Sequence, residues 1–227
     1  MNLKEIIEAT LIELDRGTEA DTVAMYAPKF TMYANEAVNE ITRRFKLVRV
    51  DPAVTQGPGP DGLPWFDASD LERAVKRLVH VYKGAYGTPT TPGDDPPIVI
   101  EEGSFNKPLW FNQSILGMPY ICVRGKDIEP GTPVWVEYRY VPEPMSVTSL
   151  TPTGTPPVAT PDEPELPAYL HELIPLYVRA REQCGQDPST QGTSSAFFSL
   201  FNQKVYQLQR ETMATPDSFK LIGYHFE

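Results

Sequence analysis

Cysteine and histidine are scarce in this chain of 227 residues, which holds two cysteines, Cys122 and Cys184, and three histidines, His80, His171 and His225. Two cysteines in segments of different expected type make no disulfide framework, and both are expected to be reduced and buried. No histidine has a second His or Cys at a ligand spacing, so neither a metal centre nor a cofactor is expected. There is no Gly-x-Ser-x-Gly elbow, no P-loop and no dinucleotide glycine fingerprint. No apolar run is long enough to cross a bilayer, and the acidic, amphipathic opening from Met1 to Glu8 is unlike a signal peptide. The expectation is therefore a protein made in the cytoplasm with no membrane partner. Positive charge is short too, with 20 Lys and Arg against 30 Asp and Glu and a net charge of −10. Residues 51–165 hold 16 acidic and 8 basic residues, so the deficit is concentrated there. Such a surface repels nucleic-acid backbones and anionic membranes, which disfavours sequence-specific DNA binding, yet it suits a wall past which DNA must slide.

Apolar periodicity is plentiful and supplies the helices. Ile6, Ile7, Leu11 and Leu14 predict a first helix over residues 3–14, ended by Gly17. Phe30, Tyr33, Ala34, Ala37, Val38, Ile41 and Phe45 predict a second over residues 29–46, which Pro28 either kinks or begins. Leu166, Leu170, Leu173, Tyr177 and Ala180, then Phe197, Phe201, Val205, Leu208 and Thr212, predict an antiparallel hairpin over residues 166–212. Its turn spans 185–192, and Thr193 and Ser194 are candidate N-caps. Between the two helical regions, residues 47–50 read as extended and residues 51–64, rich in Pro and Gly, as an exposed loop. Strands are expected at 74–82, 98–102, 109–113, 119–124 and 134–141. The last two are expected to pair as a hairpin around Glu129-Pro130-Gly131. Within residues 134–141, Trp135, Glu137 and Arg139 share a face opposite Val136, Tyr138 and Tyr140, as in a sheet with one wetter face.

Residues 142–164 contain seven prolines and read as an extended crossover. The expected fold class is α+β: a helical bundle formed by the N- and C-terminal helices, with an inserted antiparallel β-sheet domain and an extended C-terminal tail. By segment, residues 1–46 are the N-terminal helices and 47–145 the inserted β-rich domain. Residues 146–165 are the crossover, 166–213 the C-terminal hairpin and 214–227 an apolar docking tail.

Candidate chemistry is sparse. Asp94-Asp95 and Glu101-Glu102 are adjacent carboxylates, and neighbours in a strand point to opposite faces, which makes Glu101 and Glu102 a poor acid/base pair. Trp65, Trp110, Trp135 and Tyr120 are expected to fill the sheet core, with a sugar-stacking platform as the alternative. Arg43, Arg44, Lys46 and Arg49 form a basic cluster at a helix end. The helix dipole accounts for it, and contact with an acidic neighbouring subunit is the functional alternative. The tail is the strongest functional feature. Phe219, Leu221, Ile222, Tyr224 and Phe226 lie beyond the last helix and a break at Pro216, and they either fold back on the bundle or dock on another chain, with docking favoured.

Three passages carry a family likeness. Tyr33-Ala34-Asn35-Glu36-Ala37-Val38-Asn39-Glu40-Ile41 is similar to a helix of the "LNEALREI" kind, and the run from Val134 to Pro144 to a final strand of the "V-x-Y-x-x-x-P" kind. The run from Glu165 to Ile174 is similar to an "LP-x-x-L-H-x-L" opening of a C-terminal hairpin. In order and spacing the chain resembles the head-to-tail adaptor (connector) proteins of tailed bacteriophages. It departs from their pattern in the loop over residues 51–64 and in Pro175, which interrupts the third helix. The resemblance implies a non-enzymatic virion protein of the neck, a homo-oligomeric ring of twelve copies beneath the portal protein. The ring would extend the channel for passing DNA and seat the distal neck or tail protein, with the C-terminal segment engaging the portal. Phe219, Leu221, Ile222, Tyr224, Phe226, Arg43 and Arg44 are then the expected portal and subunit contacts. Two competing readings remain: a glycan-binding module of a tail fibre or tailspike accessory, and a carboxylate hydrolase using Glu137 or Glu101.

Overall fold

The computed structural model describes residues 1–58, 62–83, 98–102, 109–115, 118–124, 128–152, 159–184 and 191–214. The expectations for Asp94-Asp95, the turn over 185–190, His225 and the apolar tail lie outside these residues. So do those for the side chains of Glu101, Glu102, Trp110 and Tyr120. The fold is mixed α+β, with four α-helices and a mostly antiparallel sheet among the described residues. It divides into two compact units, Met1–Phe45 with Glu143–Glu227, and Lys46–Pro142.

The helical unit opens with α1 (Leu3–Glu13), held by a reciprocal cap. The Asn2 side chain accepts from the Glu5 N–H and the Glu5 carboxylate from the Asn2 N–H, each at 3.0 Å, which satisfies two end donors at once. Gly17 was the expected terminator, but the helix stops earlier. Asp15 takes a left-handed φ of 54°, while the Arg16 N–H reaches the Leu11 carbonyl at 2.9 Å and the Asp15 N–H reaches that of Ile12 at 3.1 Å. This is a Schellman close with aspartate in the place usually held by glycine. Helix α2 (Ala20–Phe45) runs unbroken through Pro28, burying Ala27, Phe30, Thr31, Ala34, Ala37, Val38, Ile41 and Thr42 on one stripe.

Helix α3 (Leu173–Cys184) starts later than the periodicity suggests, because a single 3₁₀ turn, Ala168–Leu170, precedes it. Pro175 is its third residue and therefore no interruption, since a first-turn proline gives up an N–H that has no helical partner. Helix α4 (Gln191–Ala214) begins before Thr193 and Ser194, which lie inside it and do not cap it. α3 and α4 run antiparallel. Glu172 meets Lys204 at 3.3 Å, the Tyr177 ring lies 5.3 Å from that of Phe201, and the Arg179 guanidinium stacks 4.1 Å over Phe197. α2 packs on α3, and α1 on both.

The proline-rich stretch is pinned to the helices wherever it is described. Asn35 of α2 brackets Met145, donating to its carbonyl and accepting from its N–H, both at 2.9 Å. The Asp162 carbonyl accepts from the Leu3 N–H at 2.7 Å, and its carboxylate from the Ser146 N–H at 2.7 Å.

Among the described residues of the second unit seven strands lie in the order β1-β7-β3-β4-β5-β6-β2. They are β1 (Arg49–Val54), β2 (Trp65–Asp67), β3 (Val75–Lys83), β4 (Ile98–Glu102), β5 (Leu109–Ile115), β6 (Met118–Arg124) and β7 (Pro133–Tyr140). Among the described residues only β4 and β5 pair in parallel. Two expectations change here. The stretch over residues 51–64 is not simply an exposed loop: β1 continues through Asp51 and Pro52 to Val54, Thr55 is buried and β2 begins at Trp65. Pro52 is tolerated because β1 lies at an end of the sheet order. Nor do the strands over 119–124 and 134–141 pair with each other. β6 pairs with β5 and β2, while β7 lies between β1 and β3.

The expected turn at Glu129-Pro130-Gly131 exists, but it closes on the end of β1. The Thr55 hydroxyl donates to the Glu129 carbonyl at 2.6 Å, the Gly131 N–H donates to the Thr55 carbonyl at 2.6 Å, and Gly131 has a φ of 91° that only glycine adopts freely. A single bridge, Gln56 N–H to Trp65 carbonyl at 2.6 Å, then joins the two edge strands. The two ends of the strand order therefore meet at this one point. Its inner face is one core, with Phe66, Leu78, Val81, Ile121, Val123, Val134, Val136 and Tyr138 at the centre. Register shifts in β3 around Leu78 bring both Leu78 and Val81 inward, which is why strict alternation fails at that leucine.

Candidate interaction surfaces and buried polar clusters

Of the expected basic cluster, Arg43 and Arg44 belong to the helical unit and Lys46 and Arg49 to the β unit. Arg43 and Arg44, in the last turn of α2, both grip Glu40: Arg43 by two nitrogens at 2.7 and 3.0 Å, Arg44 by Nε at 2.6 Å. Burial works against ionisation of Glu40, but the two arginines outweigh it and hold the carboxyl below its ordinary value. Arg44 also donates to Asn202 Oδ1 at 2.7 Å and stacks over Phe201, and its carbonyl accepts from Gln209, so it fastens α2 to α4. Arg43 remains on the outer surface. Arg49 is occupied within the β unit by Asp51 at 2.9 Å and by Glu72.

Sequence reasoning missed two buried polar clusters. In the helical unit Glu182 is 1% exposed and receives Lys29 at 2.7 Å and Arg16 at 3.3 Å. Burial would raise the Glu182 pKa, but the hydrogen bond and charge of Lys29, aided by Arg16, bring it below the ordinary carboxylate value. Lys29 is raised, chiefly by its hydrogen bond to Glu182. Residues from the α1–α2 connection, α2 and α3 are tied at this one carboxylate. In the β unit, fully buried Tyr138 donates to Asp51 at 2.5 Å and accepts from the Arg73 N–H at 3.2 Å, while Asp51 also accepts from the Glu72 N–H at 3.0 Å. Burial, then the bond to Asp51, push the Tyr138 hydroxyl far above its usual range. These bonds satisfy a buried carboxylate and a buried phenol together. Neither cluster has a signature in sequence, since their members are far apart in the chain.

The histidines have local tasks. His171 accepts at Nδ1 from the Met1 amine at 2.8 Å, which leaves its Nε2–H to donate to the Leu166 carbonyl at 2.9 Å. His80 Nδ1 and the Tyr82 hydroxyl both meet Glu137 Oε2, at 2.9 and 2.6 Å. Glu137 lies with Trp135 and Arg139 on the face of β7 opposite the core. Trp135 and Trp65 are half-buried and outside the core, against the expectation that they fill it. Period-two alternation decides this for Trp135, which falls between inward Val134 and Val136. Both cysteines are free, and Cys122 is buried as expected, but Cys184 is exposed at the end of α3. Among the described residues no three His, Cys, Asp or Glu side chains converge as metal ligands would, and no helix is long and apolar enough to cross a membrane.

Apolar groups lie on the outside of several helices. Ile12 on α1, Met25 and Met32 two turns apart on α2, and Leu200 and Tyr206 on α4 are all exposed. Beside the last pair a concavity of about 600 Å³ runs along α4. The tail residues Phe219, Leu221, Ile222, Tyr224 and Phe226 lie outside the described residues. No family model matches this sequence, and no curated protein matches it.

Proposed function

We propose that this chain is a structural head-to-tail adaptor of a tailed-phage neck, without catalytic activity. In this reading the N- and C-terminal helices form one bundle, the β unit is its insertion, and the C-terminal tail docks on the portal protein. Copies join in a ring, twelve by the family resemblance, that extends the DNA channel and receives the distal neck or tail protein in the virion. The observation that carries the proposal is the family-like order of the three passages, lying on α2, on β7 and at the start of α3.

Two further features support it. The buried carboxylates Glu182 and Asp51 each face internal partners, Lys29 and Arg16 for the first and Tyr138 and the Glu72 N–H for the second, as in structural networks. Exposed Met25 and Met32 offer adaptable apolar contacts for a neighbouring copy. Ring contacts are heterologous, and they close only when the rotation per copy divides the circle.

A glycan-binding module is the second reading, favoured by Trp135, Tyr82 and His80 together with Glu137 on the outer face of β3 and β7.

Mass photometry of the protein with its phage's portal tests the adaptor. A mass increment of one ring per portal is expected, together with its loss when residues 217–227 are deleted from an otherwise folded chain. No increment, accompanied by chemical-shift changes on adding host polysaccharide, would replace the adaptor by the glycan module.

A further inference from the structure

Helix α4 has two faces. Phe201, Val205 and Leu208 are buried. On the opposite side Leu200, Gln203, Gln207 and Arg210 recur at three- and four-residue steps, with Lys204 and Tyr206 at the rims, and line the concavity of about 600 Å³. Leu200 is 45% and Tyr206 63% exposed, and the long stems of Gln, Lys and Arg offer further apolar surface between them. Among the described residues the lining comes entirely from α4 itself.

We propose that this outer stripe of α4 is the seat of the chain's own apolar tail, residues 219–226. Reach permits it. From Ala214 back to Leu200 is fourteen residues of helix, about 21 Å, and the seven residues from Ala214 to Leu221 span about 23 Å when extended. Pro216 breaks the helical course and lets the chain reverse. Phe219, Leu221, Ile222, Tyr224 and Phe226 then lie along the stripe, where they cover Leu200 and Tyr206 and leave water themselves. The own tail is favoured over a second copy's because four residues, 215–218, separate it from the helix. Such a short tether holds it at an effective concentration on the order of millimolar, above the free protein's own concentration.

The seat is thus an intramolecular cover for a docking segment. Under the adaptor reading, on which this clause rests, the tail must leave α4 before it engages the portal, so isolated copies are kept from premature contact.

The test uses the full-length isolated chain with the photo-crosslinking residue p-benzoylphenylalanine in place of exposed Tyr206, followed by peptide mapping. The expected product is an adduct within one chain between position 206 and residues 219–226. Its yield is unchanged on dilution and is lost when Leu221 and Ile222 are both replaced by Asp. Adducts to any other segment, or adducts found only in covalent dimers that vanish on dilution, overturn the seat. A second variant with the crosslinker at Gln207 guards against a local effect of replacing Tyr206, and it is held to the same outcomes. No portal is present, so failure here leaves the adaptor reading standing, and failure of the portal experiment leaves the seat standing.

Discussion

Glu182 shows how much one side chain decides here. It sits on the buried side of the last turn of α3, where an aliphatic residue would continue the apolar stripe, yet it holds Lys29 and Arg16. Its carboxyl is held below its ordinary value of 4.5. Its contribution to stability is therefore full above that value and fades as the pH falls through the lower, folded one. Lys29 is raised above 10.5, so its own contribution is lost only as the pH rises past its folded value. The triad is intact across the neutral range and is dismantled in acid. Glu182→Gln keeps the shape but removes the charge, and it should cost about 2 kcal/mol at pH 7. The gap between variant and parent should narrow as both are taken below about pH 4. Urea midpoints across pH 3 to 7 measure this. A constant gap would show that the loss comes from packing rather than from charge. Asp51 is likewise depressed, by Tyr138 and Arg49 against its burial, so both proteins weaken in acid and only their difference reports Glu182.

At the scale of elements, the helices were legible because their apolar stripes span many turns, and their ends were less so. Nothing in the sequence marks Asp15 as the residue that turns left-handed, because that conformation is fixed by the bonds from Arg16 to Leu11 and from Asp15 to Ile12. A left-handed aspartate is strained relative to glycine, so Asp15→Gly should stabilise the protein by about 0.5–1 kcal/mol, after allowing for the greater freedom of glycine when unfolded. A rise in Tm is the expected result, and a fall would show that the Asp15 side chain holds the α1–α2 connection in some other way. Pro175 carries the same lesson in reverse. It read as a break because the helix was expected to start at residue 166, and it became an ordinary first-turn proline once the start moved to Leu173. Strand positions were mostly legible from β-branched and aromatic runs, but strand partners were not. β6 and β7 are close in sequence and bounded by a good turn, yet β6 hydrogen-bonds to β5 and β2, and β7 to β1 and β3.

For the whole molecule, the chain's two ends contribute one unit and its middle the other. The β unit has a core of its own, and its edge strands are joined by the Gln56–Trp65 bridge. Expressed alone, residues 46–142 should give a dispersed amide spectrum and a single cooperative unfolding transition. A collapsed spectrum would show that the sheet depends on the helical unit. Composition and periodicity by themselves determined the α+β class, the four helical regions, most of the strands and the acidic middle, because each rests on local pattern or simple count. Only the tertiary structure decided that Gln56 bridges to Trp65 across the two ends of the strand order, that Arg44 binds Asn202 on α4, and that Glu182 and Asp51 are buried with their partners. Those outcomes depend on residues brought together from distant parts of the chain, and a sequence carries no local mark of a contact whose two halves lie more than a hundred positions apart, as Arg16 and Glu182 do.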